Sequence, residues 1–240
     1  MILAIDSSIG STVAVVDPET EEVLGKAQSE TSRGHAEVIG TLIQQALDAA
    51  GKRPADITAV AAGMGPGPFT GLRIGIAAAR AFAIGRGIPV IPVVSHDAAA
   101  LEILERDPEA EFVIVTDARR RENAVSAYAG LKNGLPNRIA GPELLPNTED
   151  PQAYLAEHLE IARASQKNSE NGQISADSET LGNAEATRTP SERSITRIPA
   201  AHVAKLAARM LTAGTAEQIE PLYLRAPDAK IPGAVKRVST

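Results

Sequence analysis

The 240-residue sequence contains no cysteine and no tryptophan. The absence of cysteine excludes a disulfide framework, a thiolate metal site and a cysteine nucleophile. Aromatic residues make up only 2% of the chain, against 43% hydrophobic residues, so the core must consist of Ala, Val, Ile and Leu. A chain of this length can bury one large core or two smaller ones. This composition favours helices packed on sheets.

The sequence also lacks an excess of basic residues and a long apolar run. Its formal net charge is −6, whereas phosphates attract clustered Lys and Arg, and unpaired bases need aromatic surfaces. We therefore expect any contact with RNA to depend on a partner protein. No stretch reaches the roughly 18 apolar residues of a membrane span, and the N-terminus has no basic region ahead of an apolar segment. These features predict a soluble, cytoplasmic protein without membrane association.

Hydrophobic patterning predicts an α/β protein with two lobes, at 1–97 and 98–225. In the first lobe we expect a hairpin whose turn presents Asp6, Ser7 and Ser8. Two amphipathic helices and two further buried strands follow a third strand. The expected strands are 2–8, 11–17, 22–29, 57–63 and 88–94, and the expected helices are 35–50 and a segment that starts at 70 or 71 and ends near 86.

The second lobe has fewer strong signals. Residues 165–197 are polar and without a period, which predicts a solvated insertion with at most one short strand near 180–183. The last helix is a candidate to pack back on the first lobe, and 226–240 is expected to be a loose tail. The expected helices are 95–106, 151–164 and 200–213, and the expected strands are 111–120 and its antiparallel mate 123–130.

The most distinctive segment is GMGPGPFTGLRIG at 63–75, between a buried strand and a helix. It lacks the Lys of a Walker P-loop, and its glycines are spaced one residue too far for a dinucleotide fingerprint. A phosphate cradle works through backbone N–H donors, and Pro66 and Pro68 each remove one. The residues alone favour a stiff turn in which glycines allow close approach, with nucleotide binding as the alternative.

Candidate catalytic residues are few. The histidines at 35, 96, 158 and 202 are far apart in sequence and form no metal-binding pair on one helix. There is no G-x-S-x-G motif, and Ser7 and Ser8 have no local base. Asp6 and Asp117 each end a predicted strand. They either accept turn N–H bonds or face each other across a cleft, as a phosphotransferase needs.

Five segments resemble the TsaB family, also called YeaZ, in the family's order along the chain. The resemblance implies the two-lobed actin/sugar-kinase/Hsp70-like (ASKHA) fold with a reduced second lobe. The segments are ILAIDSS…STVAVV at 2–16, SRGHAE at 32–37, GPGPFTGLRIG at 65–75, TDARRRE at 116–122 and PLYLR at 221–225.

The resemblance also implies a function, in forming N6-threonylcarbamoyladenosine on tRNA beside the anticodon. TsaB proteins are partner subunits that bind and activate the metal-containing paralogue TsaD, together with the ATPase TsaE. This sequence does not match the paired-histidine motif of TsaD, so the resemblance implies a non-catalytic subunit without cofactor or metal. It would meet tRNA only through the complex and could form a homodimer. The alternatives are an ATP-dependent phosphotransferase of the same fold and, less favoured, a peptidase.

Two sets of residues are predicted as sites. The first is a vestigial or weak nucleotide site: Asp6, Ser7, Gly65, Gly67, Thr70, Gly71 and Asp117. The second follows from the helix after the glycine-rich loop, where a second apolar face needs a cover, either the 35–50 helix or a partner. The predicted partner surface is Ile39, Ile43, Arg73, Ile76, Ala77, Arg80 and Ile84.

Overall fold

The structure is a computed structural model that describes residues 1–29, 34–171, 191–216 and 220–225, with side chains up to 165 in the fourth helix. Three sequence-based expectations concern residues outside these ranges: the strand near 180–183, most of the polar insertion and the tail at 226–240.

The first lobe is built on a five-stranded sheet of order β3-β2-β1-β4-β5. The first three strands form an antiparallel meander, and β4 and β5 run parallel to β1. Every residue of β1, β2 and β4 is buried, because helices cover both faces, and this explains their continuous apolar sequences. The strands are β1 Ile2–Asp6, β2 Ser11–Val16, β3 Val23–Ser29, β4 Ala59–Gly63 and β5 Val90–Val93.

Two helices cover one face of this sheet, α1 (His35–Ala50) and α2 (Phe69–Arg86). Both end at a glycine in the left-handed conformation, at φ 61° in Gly51 and 64° in Gly87, which is a common helix stop. A short 3₁₀ turn at Pro54–Asp56 precedes β4. The helices bury small and branched side chains against the sheet, and the fully buried members of this core, among the residues that the structure describes, include no aromatic side chain.

The opposite face of the sheet is covered by α5 (Ala200–Ala213), and α3 (Ser95–Leu104) packs against α5. Val203 and Ala207 of α5 belong to the same core cluster as Ile2 and Ala61 of the sheet. The last helix therefore returns to the first lobe after the chain has built the second.

The second lobe has a four-stranded sheet of order β8-β7-β6-β9. Strands β6, β7 and β8 form an antiparallel meander, and β9 is parallel to β6. Helix α4 (Pro151–Asn171) packs on one face of the sheet, where Leu155 and Leu159 join its core. The strands are β6 Glu111–Asp117, β7 Glu122–Lys132, β8 Leu135–Pro146 and β9 Ser191–Ser194.

Three details differ from the sequence-based expectations. Strand β8 was not predicted, α4 continues beyond 164, and β9 lies inside the segment expected to be a solvated insertion. Strand β9 has the sequence SERS and joins the sheet through backbone pairing with β6. Backbone pairing at a sheet edge needs no apolar side chain, so a purely polar strand can form there.

A buried polar contact joins the lobes. The imidazole of His96, at the start of α3, lies 2.8 Å from Ser126 Oγ through Nδ1 and 3.0 Å from Thr116 Oγ1 through Nε2. Burial lowers the pKa of His96 to about 3, helped by the nearby positive charge of Arg138. The histidine is therefore a neutral link between α3 and the second sheet.

Candidate functional site

The turn after β1 is buried, contrary to the expectation that it is presented at the surface. Asp6, Ser7 and Ser8 are each 1% exposed. Asp6 Oδ1 accepts a hydrogen bond from Ser8 N at 2.8 Å, and Asp6 Oδ2 accepts one from Ser95 Oγ at 2.5 Å. Ser95 Oγ also lies 2.8 Å from Ser8 Oγ and accepts a bond from Gly65 N at 3.0 Å. The carboxylate thus ties β1 to α3 and to the glycine-rich loop.

Ser7 ties the same turn to α2. Its Oγ donates to Gly71 O at 2.7 Å and accepts from Gly75 N at 2.9 Å. A methyl group on Gly75 would lie 2.2 Å from Ser7 Oγ, and one on Gly67 would lie 2.7 Å from Ser8 Cα. The glycines are therefore required for close approach of the loop and helix to the turn. We call Asp6, Ser7, Ser8, Ser95 and their glycine neighbours the serine junction.

Burial raises the pKa of Asp6, and the hydrogen bonds from Ser95 and Ser8 oppose this shift. The folded protein therefore prefers a protonated Asp6 more strongly than the unfolded chain does. A base or a metal ligand at this position would need an accessible carboxylate, whereas both Asp6 oxygens are bonded to protein groups.

Five of the predicted nucleotide-site residues meet at the serine junction, and two lie outside it. Ser95 bonds to both Asp6 and Gly65 there, Ser7 bonds to Gly71, and Gly67 lies against Ser8. Thr70 and Asp117 are exposed and lie at a surface cleft. Since Asp6 is buried, it does not face Asp117 across that cleft, and that alternative is wrong.

The cleft runs between the lobes as two adjoining hollows that share Pro68, Asp117 and Arg119. One hollow, of about 640 Å³, lies over the serine junction and reaches His35 and Thr70. The other, of about 430 Å³, has an apolar floor and walls from both lobes. Its lining includes Pro66, Pro68, Phe69, Leu144, Leu224 and the turn between β6 and β7.

That turn carries three successive arginines in an unusual backbone conformation. Arg119, Arg120 and Arg121 have φ values of 65°, 57° and 63°, and a left-handed conformation costs a non-glycine residue about 1–2 kcal/mol. The turn is held by its neighbours: Asp117 Oδ1 accepts from Arg119 N at 2.8 Å, and Asn147 N donates to Arg121 O at 2.9 Å. We call 119–121 the arginine turn.

The segment at 220–225 connects the cleft walls. Leu222 N donates to Met64 O at 2.8 Å in the first lobe. Arg225 reaches the second lobe, where its Nη2 donates to Arg119 O at 2.8 Å and contacts the Glu122 carboxylate. Between them, the ring of Tyr223 lies 4.8 Å from that of Phe69. The motifs around 65–75, 116–122 and 221–225 therefore meet at one cleft.

The four histidines lie on separate elements and have separate partners. His35 Nδ1 lies 2.7 Å from Ser11 Oγ, His96 is held as described above, His158 Nδ1 lies 2.8 Å from Tyr154 O, and His202 Nε2 lies 3.2 Å from Glu105. Within the described parts of the chain, no three His, Asp or Glu side chains gather as a metal site. The described helices also include none long and apolar enough to span a membrane.

The predicted partner surface is narrower than expected. Ile76 is buried in a small cluster with Met64 and Leu72, so its predicted position on the outer face is wrong. It lies four residues after Leu72 and therefore on the same side of α2. Ile39 is also buried, and Ile43 packs at the edge of the first core. Four of the predicted residues are exposed, all on α2: Arg73, Ala77, Arg80 and Ile84.

Comparison with known proteins decides the family. The profile of TsaD, described as tRNA N6-adenosine threonylcarbamoyltransferase, matches residues 21–233. The chain belongs to this TsaD family. An uncharacterized protein of Mycobacterium tuberculosis is 36% identical over 162 residues, which cover 67% of this chain and 74% of that protein. A tRNA N6-adenosine threonylcarbamoyltransferase of Streptococcus pneumoniae is 38% identical over 115 residues, or 48% of this chain and 34% of that enzyme.

Two solved structures from Pseudomonas aeruginosa share the fold of this TsaD-family chain. One is described as an uncharacterized protein with similarity to peptidase YEAZ, and has a TM-score of 0.67 at 22% identity. YeaZ itself has a TM-score of 0.65 at 21% identity, and each match covers 93% of this chain and 99% of the other. The likeness concerns the fold, and it confirms the predicted two-lobed α/β fold and the resemblance to YeaZ at that level.

Ser95 was missed from the sequence, and Ser8 was named in the turn but not assigned to the site. Both hold the Asp6 carboxylate, but serines that follow a strand are common in turns. The usable signal was position: β1 and β5 end at the same edge of the sheet, so the residues following them come close together.

Proposed function

We propose that this chain is a partner subunit of the system that forms N6-threonylcarbamoyladenosine on tRNA, and that it binds and activates a TsaD-type threonylcarbamoyltransferase. Membership of the TsaD family and the YeaZ-like fold support a place in this modification system. A TsaE-type ATPase is the further expected member, and tRNA is the substrate of the assembled complex.

The exposed face of α2 carries this proposal. Arg73, Ala77, Arg80 and Ile84 follow each other at intervals of four, three and four residues, the spacing of a stripe that packs against other helices. Ile84, in the last turn of α2, is 81% exposed, which is unusual for a large apolar side chain. Small Ala77 allows another helix to approach closely, and this stripe is therefore suited to a helical partner.

The serine junction supports an accessory role over catalysis. A phosphotransferase of this fold would use the turn after β1 at the substrate phosphates, and here Asp6 and Ser7 are buried and bonded to the chain itself. The phosphotransferase alternative keeps one favourable observation, the exposed Asp117 at the cleft. Calorimetric titration with ATP and magnesium, together with a hydrolysis assay, separates the two: turnover that is abolished by Asp6→Asn would favour the phosphotransferase.

Substitution of Ala77 by Glu tests the partner surface. The new charge would lie in a desolvated interface, so we expect binding of the TsaD-type partner to weaken by about 2–4 kcal/mol. Because Ala77 is exposed in the isolated chain, the variant should remain folded. Analytical ultracentrifugation of the chain with its partner measures the effect.

Ala156→Glu is the matched control, since Ala156 is an exposed alanine on α4 of the other lobe. It should leave partner binding unchanged. Any homodimer that uses the same stripe should be lost in Ala77→Glu, because the homodimer and the partner compete for one surface. A folded Ala77→Glu protein with wild-type association would mean that the partner binds elsewhere.

A further inference from the structure

A polar hollow of about 440 Å³ lies at the end of the second sheet that is far from the cleft. Strand β7, of 11 residues, runs from Glu122, next to the arginine turn, to Lys132, which lines this hollow. At about 3.3 Å per residue the two ends of the strand are roughly 30 Å apart. The hollow also shares no lining residue with the two hollows of the cleft. It is therefore a separate feature of the molecule.

Arg138, on β8, lines this hollow and has hydrogen-bonding capacity that the protein leaves unused. Its Nη1 is buried and has no hydrogen-bond partner among the described residues. Its Nε lies 3.5 Å from Asp97 Oδ1. A buried donor without an acceptor is costly, and more so when it is charged. The guanidinium group therefore favours a further acceptor, which a ligand oxygen or a water molecule would supply.

The charged side chains that line the hollow are two cations and one carboxylate, Lys132, Arg138 and Asp97. Asp97 is the partner of Arg138, and its carboxylate also accepts a hydrogen bond from Tyr128 Oη at 2.7 Å. Desolvation raises the pKa of Asp97, which lessens its repulsion of an anion. Lys132 is exposed, and its ammonium group has no partner among the described residues. The lining thus keeps one positive charge unbalanced.

The walls of the hollow are joined by direct contacts. Asn133 and Gly134 form the turn between β7 and β8 with φ values of 54° and 77°, which are typical of a tight two-residue hairpin turn. Gly134 O accepts a hydrogen bond from Arg209 Nη1 of α5 at 3.1 Å. Arg209 is itself paired with Glu21 and Glu105, so we do not count its charge toward a ligand. These contacts hold the hairpin against α5 and keep the hollow open without a ligand.

The end of α5 forms part of the rim, where Ala213 and Thr215 line the hollow. The unpaired carbonyl groups at the C-terminus of a helix disfavour an anion. Here Thr215 N donates to Met210 O at 2.9 Å, and Gly214 N donates to Leu211 O at 3.2 Å. The cap therefore satisfies two of these carbonyl groups and reduces their repulsion of an anion.

We propose that this hollow binds a phosphoryl group, either of a small phosphate monoester or of inorganic phosphate, between Arg138 and Lys132. A planar guanidinium group binds phosphate through two parallel hydrogen bonds, and an ammonium group adds a point charge. The volume of about 440 Å³ is in the range of small-molecule sites and leaves room for the carbon skeleton of a monoester. Leu135 and Pro136 offer that skeleton an apolar surface. The inference does not depend on the proposed function.

Isothermal titration of the isolated chain with glycerol phosphate and with inorganic phosphate, at low ionic strength, tests the inference. We expect saturable binding of one ligand per chain. Lys132→Gln should weaken this binding about fivefold because it removes the unbalanced charge. Arg138→Lys keeps a cation beside Asp97 but loses the planar fork, so it should weaken binding about tenfold. Lys26→Gln is the matched control, since Lys26 is an exposed lysine on β3 of the first lobe, and it should change binding less than twofold.

The two ligands distinguish the two sources of the phosphoryl group. Tighter binding of glycerol phosphate would identify a monoester site, and equal or tighter binding of inorganic phosphate would identify a site for the free ion. Acetate that binds as tightly as both would overturn the inference in favour of a carboxylate site. Binding that is not saturable, or that is unchanged in both Lys132→Gln and Arg138→Lys, would overturn it outright.

Lys132→Gln keeps the inference testable if Arg138→Lys does not fold, because Lys132 is exposed. Phosphate also stabilises proteins in general by exclusion from their surface, so a direct titration is preferred to a thermal shift. The titrations need no partner protein, and their failure is therefore distinguishable from failure of the proposed function, which the partner-binding experiment decides.

Discussion

Asp6 at the centre of the serine junction offers a sharp test of whether the turn after β1 is structural. The carboxylate accepts hydrogen bonds from Ser8 N, Ser8 Oγ and Ser95 Oγ. In Asp6→Asn the amide oxygen can keep the bond from Ser8 N, and the two hydroxyl groups can rotate to accept from the amide nitrogen. We therefore expect a cost of only about 1 kcal/mol.

Asp6→Ala removes every acceptor. The two hydroxyl groups lie 2.8 Å apart and can bond to each other, so Ser8 N–H and one hydroxyl hydrogen stay unsatisfied. Two buried donors at roughly 1–3 kcal/mol each give a loss of about 2–6 kcal/mol. Urea unfolding measures both variants, and unchanged slopes with shifted midpoints would show that stability alone has changed.

The ionisation of Asp6 predicts how the stability of wild type relative to Asp6→Asn depends on pH. Because burial raises the pKa of Asp6 in the folded state, its contribution to stability is fully present below its unfolded pKa of 3.8 and is lost as pH rises through the folded pKa. Asp6→Asn has no such titration. The stability of wild type relative to Asp6→Asn should therefore fall with rising pH across this window. A relative stability that rises with pH instead would refute the buried, desolvated carboxylate.

Two further predictions concern other contacts of the junction and the link between the lobes. Gly75→Ala should lower stability by about 1–3 kcal/mol, because its methyl group would lie 2.2 Å from Ser7 Oγ. In the same helix, the methyl group of Gly85→Ala would meet no neighbouring atom within 4 Å, so this variant should raise stability by roughly 0.5–1 kcal/mol. Thermal unfolding compares the two variants, and equal effects would contradict the close packing at Gly75. His96, whose pKa is lowered to about 3, should stay neutral from about pH 8 to about pH 5 in an NMR titration. The stability of the protein should fall as pH decreases from 6.5 towards this folded pKa. A His96 titration near pH 6.5 would show that the lobes separate at this link.

The first lobe was predictable because its sequence patterns have one interpretation. Strands β1 and β4 are covered on both faces and are continuously apolar, and α1 and α2 each end at glycine. The second lobe gave weaker patterns. Strand β8 contains three prolines and is mostly half-exposed, and β9 has no apolar residue. Such strands form because a neighbouring strand offers backbone partners, and that information lies elsewhere in the chain.

The candidate site was predictable as a set of positions but not as a geometry. The predicted residues Asp6, Ser7, Gly65, Gly67 and Gly71 lie together at the junction. Asp117 does not join them, because Asp6 is buried in the junction. The sequence of a polar turn does not show whether the turn is exposed, because two serines and a neighbouring loop can form its hydrogen bonds inside the protein. The arginine turn and the exposed rings became a joint feature only once 220–225 was seen to cross the cleft.

The glycine-rich loop shows why a phosphate-like sequence need not bind phosphate. Gly63, Gly67, Gly71 and Gly75 recur every four residues, and an added methyl group at each would lie within 3 Å of an atom of Asp6, Ser7 or Ser8. Glycine is therefore required at all four positions by the approach of the turn, with Pro66 and Pro68 fixing the loop between them. The polar groups of Asp6 and Ser7 that a phosphate would need are bonded to the chain itself, beneath the hollow of about 640 Å³ that lies over the junction.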